Sequence, residues 1–232
     1  MIRPLQVCLT FASAALFATF VAGALPAAAQ DQQPAQAESA NPNTVPDFDQ
    51  WESVAQRAEQ AIEDARAKVA SFLGCDAEEI VFTGGGTEAN NLAILGLTEY
   101  GLKTGKRHIL STQIEHKAVL EPLEIMQSRG FEVELVPPTS GGFVEAEEFA
   151  KRIREDTLLV SVMHVNNETG VIQPLDEIAE SISSADAFFH VDAAQGFGKE
   201  LALLKNRRID MISVSGHKIH APAGIGALIA RT

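Results

Sequence analysis

Seven short apolar runs, separated by stretches with helical periodicity, constrain the fold of this chain more than any other feature. They occupy residues 80–83, 108–112, 131–136, 158–164, 187–191, 211–214 and 226–230. Their lengths and their β-branched or aromatic content suit buried strands. The helical stretches between them suit crossover connections, so the expected fold is α/β, a mostly parallel seven-stranded sheet with helices on both faces. Ligands of such sheets bind at the carboxyl ends of the strands, which directs attention to the residues following each run.

Before the first run, Val54, Ala58, Ala61, Ile62, Ala65, Val69 and Leu73 recur at helical spacing, and Gly74 is placed to end that helix in a left-handed cap. Residues 31–46, rich in Gln, Ala, Pro and Asn without apolar period, read as a linker. Further upstream, Arg3 precedes an uncharged stretch over residues 7–25, followed by Pro26 and Ala27-Ala28-Ala29-Gln30. This is the layout of a secretory signal with a small-residue cleavage site. The alternative is an uncleaved anchor, since the 19 residues are just long enough to span a bilayer. The expected organisation is a signal-peptide-like segment over 1–29, a linker over 30–46 and one folded domain over 47–232.

A formal charge of −13 argues against a nucleic-acid backbone or an anionic membrane surface as the main partner, and favours a small molecule or a protein. The only cysteines are Cys8 and Cys75, too few for a disulfide framework or a Cys-rich metal site, and no metal is expected. Cys75, directly after Gly74, reads as a small buried thiol.

The chemistry concentrates behind the runs. Lys218 lies in Ser215-Gly216-His217-Lys218, after the run 211–214, and Asp192 follows the run 187–191. A lysine amine at a strand end can condense with an aldehyde, and a nearby aspartate can keep a pyridine nitrogen protonated; pyridoxal phosphate needs both from a protein. Gly84-Gly85-Gly86-Thr87 closes the run 80–83 and opens a helix, giving close backbone approach and free N–H groups for a phosphate. A Gly-rich turn alone is also compatible with a plain tight turn. His116, after Glu115, is a flat group for a ring face, though a lone histidine there is more often a helix-start or surface residue than a catalyst. A buried Asp192 needs a partner, either the pyridinium or a backbone N–H capping the strand end.

Five ordered segments carry a resemblance to the cysteine desulfurases, a branch of the class V aminotransferase family. They are Phe82-Thr83-Gly84-Gly85-Gly86-Thr87-Glu88-Ala89-Asn90-Asn91, Glu115-His116, Met163-His164-Val165-Asn166-Asn167-Glu168-Thr169-Gly170, His190-Val191-Asp192-Ala193-Ala194-Gln195 and Ser215-Gly216-His217-Lys218. The resemblance implies the large domain of fold-type-I pyridoxal-phosphate enzymes. It implies a Schiff base at Lys218, the phosphate on Gly86 and Thr87 with Ser215 and His217 completing the cup, and Asp192 on the pyridine nitrogen. It places His116 on the ring and in proton transfer, with Asn167 and Gln195 near the ring hydroxyl; Asn166 shapes the loop, and His190 receives no catalytic role. The implied activity is release of sulfur from L-cysteine, giving alanine and a persulfide for iron–sulfur or other sulfur transfer. A homodimer and a sulfur-acceptor protein are the implied partners.

Other features depart from the family. Its persulfide-forming cysteine lies in a C-terminal segment well beyond the lysine, whereas this sequence ends at Thr232, fourteen residues after Lys218. The C-terminal small domain, with the arginine that binds the substrate carboxylate, is therefore expected to be absent, and the family's first strand has no counterpart in residues 1–46. Family members normally work in the cytoplasm or an organelle, whereas the signal-like segment implies an exported or periplasmic product. Two other readings stand beside the desulfurase: a thiol-independent cysteine or selenocysteine β-lyase, and a non-catalytic exported remnant.

Overall fold

The computed structural model describes residues 48–231, so the signal-like segment and the linker lie outside the described residues. Helix α1 (Phe48–Leu73) carries the apolar stripe expected of it. Ala65, Val69 and Leu73 in its second half are buried, while Trp51 and Val54 in its first half are exposed. Gly74 ends it with a φ of +64°, the left-handed region that glycine enters without a Cβ clash.

The strands are β1 (Ile80–Thr83), β2 (His108–Thr112), β3 (Glu132–Val136), β4 (Thr157–Met163), β5 (Phe188–Asp192), β6 (Met211–Ser215) and β7 (Gly226–Ala230). Each apolar run has become one strand, with ends moved by at most one residue. Phe131, for example, leaves the third run to pack beside Leu123 and Met126. Between them lie α2 (Gly86–Leu95), α3 (Thr98–Thr104), α4 (Lys117–Ser128), α5 (Ala146–Arg152) and α6 (Leu175–Ser181). The sheet order is β1-β7-β6-β5-β4-β2-β3. Pairing is parallel from β6 through to β3, and β7 is antiparallel to both β6 and β1. This is the mostly parallel seven-stranded sheet with flanking helices expected from the sequence.

Neighbouring strand residues point to opposite faces. Phe189 and Ile212 join Val69, Phe149 and Ile178 from α1, α5 and α6, whereas Phe188 and Met211 join Ile94, Val119 and Leu123 from α2 and α4. Each fully buried side chain of this size contributes about 1.5–3 kcal/mol by leaving water. Between the layers, His190 spans three strands, its Nδ1 lying 2.9 Å from Ser161 Oγ and its Nε2 2.9 Å from Ser213 Oγ. Burial pushes the pKa of this ring down to about 3.

Candidate active site

The carboxyl ends of β1, β2, β4, β5 and β6 deliver their following residues to one side of the sheet. In-register pairing sets Met163 beside Asp192 and Asp192 beside Ser213. The Gly-rich turn after β1 starts α2 at Gly86, and Gly85 caps that helix with no side chain of its own. Space is tight here: a Cβ on Gly86 would press on Ser215 Cβ at 3.0 Å, and one on Gly226 would clash with Gly85 Cα at 2.7 Å. The turn therefore rests directly on β6 and β7. The first amides of a helix have no partner within it and lie at the positive end of its dipole, an arrangement suited to an anion.

Lys218 sits on the 3-10 turn Gly216–Ile219 immediately after β6. It is exposed, and among the described residues it forms no ion pair or hydrogen bond. On the same turn, His217 Nδ1 is 2.9 Å from Ser215 Oγ. His116 caps α4: its Nδ1 accepts from the Ala118 backbone N–H at 3.1 Å. The neutral ring therefore carries its proton on Nε2. It is thus a helix-start residue, and it also lines the cavity.

Asp192, 6% exposed, ends β5. One oxygen accepts from the Ala194 backbone N–H at 2.9 Å and the other from Asn90 Nδ2 at 2.8 Å. Burial raises its pKa, while those two hydrogen bonds and the charge of His116 pull it back down. Among the described residues, no lysine or arginine pairs with it. Asn166 shapes its loop, as expected, accepting through Oδ1 from the backbone N–H groups of Glu168 and Thr169.

The nine residues singled out from the sequence, Gly86, Thr87, His116, Asn167, Asp192, Gln195, Ser215, His217 and Lys218, line one cavity of about 160 Å3. Asn90 also lines it. These residues fit pyridoxal phosphate: a glycine cradle a Cβ would fill, a buried carboxylate with no cation of its own, and an unpaired lysine amine share one space.

Three residues of the site region were missed by sequence reasoning. Asn90 stands one helical turn after Gly86, a spacing that could have flagged it. Glu115 is buried, and its Oε1 accepts from Thr112 Oγ1 at 2.7 Å and from the Met163 backbone N–H at 2.8 Å. Its Oε2 has no partner, and burial, with Asp192 adding repulsion, pushes its pKa up to about 8. His164, after β4, is buried with neither ring nitrogen partnered, and burial lowers its pKa to about 4. Gly196 lies so close to that ring that a Cβ there would come within 2.0 Å of Nδ1. The run 158–164 already put His164 at a buried strand end, but no local signal marks its ring as unpartnered.

Residues 34–232 match the family model Aminotransferase class-V. The chain belongs to the class-V aminotransferase family. Among class-V aminotransferase relatives, it is 47% identical over 175 residues to cysteine desulfurase IscS of Pectobacterium carotovorum subsp. carotovorum (strain PC1), covering 75% of this chain and 43% of that protein. It is 44% identical over 191 residues to the mitochondrial cysteine desulfurase of Candida albicans (strain SC5314 / ATCC MYA-2876), covering 82% of this chain and 38% of that one. The solved structure of DndA from Streptomyces lividans superposes with a TM-score of 0.75 at 52% identity, over 78% of this chain and 50% of that one. The structure described as SspA in complex with cysteine gives 0.71 at 42% identity, over 76% and 50%. The chain thus spans about half or less of the length of the class-V aminotransferases it matches. Membership of this family implies a pyridoxal-phosphate cofactor. Among the described residues, no helix is long and apolar enough to cross a membrane.

Proposed function

We propose that this chain is the cofactor-binding part of a pyridoxal-phosphate-dependent cysteine desulfurase, acting on L-cysteine and passing its sulfur on as a persulfide. The observation that carries the reading is the shared cavity: Lys218, Asp192, His116 and the cradle at Gly86 and Thr87 meet there although they come from four different strand ends. When bound, pyridoxal phosphate supplies an aldehyde for covalent attachment of amines and an electron-accepting ring.

Gly86 and Thr87 would hold the phosphate through backbone amides, with Ser215 and His217 closing the cup. Asp192 would hold the pyridine nitrogen in its protonated form, and Asn167 and Gln195 would orient the hydroxyl edge. Lys218 offers the attaching amine at Nζ. His116 presents Nε2 to the substrate, since Nδ1 is engaged by Ala118; a proton leaves Nε2 only from the doubly protonated ring, which gives up the Ala118 hydrogen bond. Cys75 is no candidate for the sulfur carrier, because it precedes β1 and lies at the amino end of the strands.

The division into a large domain over 47–232, a linker over 30–46 and a signal-like segment over 1–29 belongs to the same proposal. So do a homodimer and a protein acceptor for sulfur. Export follows if the segment 1–29 is used; a cytoplasmic location follows if it is not. The test of function is direct: purified protein is mixed with pyridoxal phosphate and L-cysteine, and cofactor absorbance and alanine are followed. A protein that acquires no cofactor absorbance sinks the reading.

A further inference from the structure

We infer that Asn90 is a positioning residue for Asp192, fixing that carboxylate in the cavity wall and tying it to the helix whose first residues form the phosphate cradle. The inference rests on the cofactor reading above. Asn90 is 1% exposed and lies on α2 one turn beyond Gly86. Its Nδ2 donates to Asp192 Oδ2 at 2.8 Å, and its Oδ1 is buried without a partner. An asparagine serving core structure alone would be expected to satisfy both ends of its amide, because a buried acceptor left without a donor is destabilising. This amide instead leaves one end open and spends the other on a carboxylate 102 residues away in sequence.

The two oxygens of Asp192 are thus fixed by donors from two different elements, Ala194 N–H in the loop after β5 and Asn90 on α2. The remaining ionisable neighbours act in opposite directions: the charge of His116 favours the Asp192 carboxylate, and Glu115 is coupled to it by repulsion. Removing the Asn90 donor would leave Oδ2 desolvated and free to turn. The cradle and the carboxylate would then no longer be held at a fixed separation, although both must engage one rigid ligand.

The experiment has two arms. In the cofactor-free chain, the Asp192 carboxyl is titrated by carbon NMR, with Asp192→Asn assigning its signal. Asn90→Leu should raise its pKa by about one pH unit or more, because a hydrogen bond to the charged form is lost. Asn90→Ala repeats the measurement if the leucine variant does not fold, as judged by thermal unfolding. In the second arm, pyridoxal phosphate affinity is measured in a double-mutant cycle. Asn90→Leu should weaken binding about tenfold in the parent chain and less than about twofold in the Asp192→Asn background. An unmoved Asp192 titration, or equal losses in the two backgrounds, overturns the positioning role while leaving cofactor binding standing. Failure of the parent chain to bind pyridoxal phosphate overturns the functional reading, and is seen independently of the titration.

Discussion

The backbone N–H of Met163, the last residue of β4, donates to the carboxyl of Glu115 at 2.8 Å, in the turn that follows the neighbouring strand β2. Thr112, the last residue of β2, donates to the same oxygen. Two strand ends are thereby joined through one buried side chain, and the residue after it is His116. The placing of that histidine depends on a carboxyl that burial keeps neutral.

Glu115 therefore makes stability depend on pH. In the unfolded chain the group ionises near its usual value of 4.5, whereas in the folded chain it does so at about 8. Between those values the unfolded state releases a proton that the folded state keeps, so stability falls as pH rises through the window. Glu115→Gln keeps the acceptor without the titration. Urea unfolding at about pH 5 and about pH 8 should show the parent losing stability relative to the variant, on the order of a few kcal/mol. Parallel curves would show that Glu115 is already ionised in the fold.

The acid side is governed by His164 and His190, whose pKa values burial lowers to about 4 and about 3. The unfolded chain takes up protons on both below about pH 6.5 while the fold does not, so stability is lost as pH falls from there. His164 has no hydrogen bond on either ring nitrogen, so an apolar replacement breaks none. His164→Leu should match or exceed the parent near neutrality and lose less stability by about pH 4.5. A steeper acid loss in the variant would contradict this account.

With pyridoxal phosphate added, borohydride reduction followed by peptide mapping should place the modification on Lys218. Lys218→Ala should abolish it. Trapping on another lysine would reassign the site.

Asp192→Asn should leave the fold near intact, because both of its hydrogen bonds come from donors that an amide oxygen can still accept in part. Cofactor retention should weaken and exchange of the substrate α-proton should slow. His116→Ala should retain cofactor colour while losing proton transfer. Its α4 loses a cap, at a cost of about 1 kcal/mol in thermal unfolding. Unchanged proton exchange in both variants would remove these residues from the mechanism.

Cys75 should accumulate no persulfide, and Cys75→Ser should leave any sulfur release unchanged. Burial raises the pKa of its thiol, which lowers its nucleophilic form. The length of β1, about 13 Å, separates it from the cradle. Turnover abolished by this substitution would require a different site.

The sheet was legible because its strands are written as short runs rich in apolar and β-branched residues, and all seven could be counted, although the edge strand β3, with Glu132 and Leu135 exposed, is not the buried strand expected of its run. The cavity-lining residues were legible because they follow those runs, where a strand must hand its chain to a loop. Asn90, Glu115 and His164 were not, because what matters about each is a contact distant in sequence. Asn90 meets Asp192 across 102 residues and Glu115 meets Met163 across 48. Local periodicity records which face a residue takes, and says nothing of what waits on that face. Equally, the exposure of Trp51 and Val54 departs from the unbroken apolar stripe of α1, since only the second half of that helix has a layer beneath it.

The antiparallel strand β7 sits between β6, which leads to Lys218, and β1, which leads to Gly86. During synthesis the glycine turn emerges early and the lysine turn late; the glycine turn gains Ser215 only once β6 is made, and Gly226 only when β7 follows. Gly226 is the second contact on which the glycine turn rests, beside Ser215. A nascent chain halted between Lys218 and Gly226 would therefore contain all nine of the cavity residues singled out from the sequence while lacking one of the two strands on which the glycine turn rests.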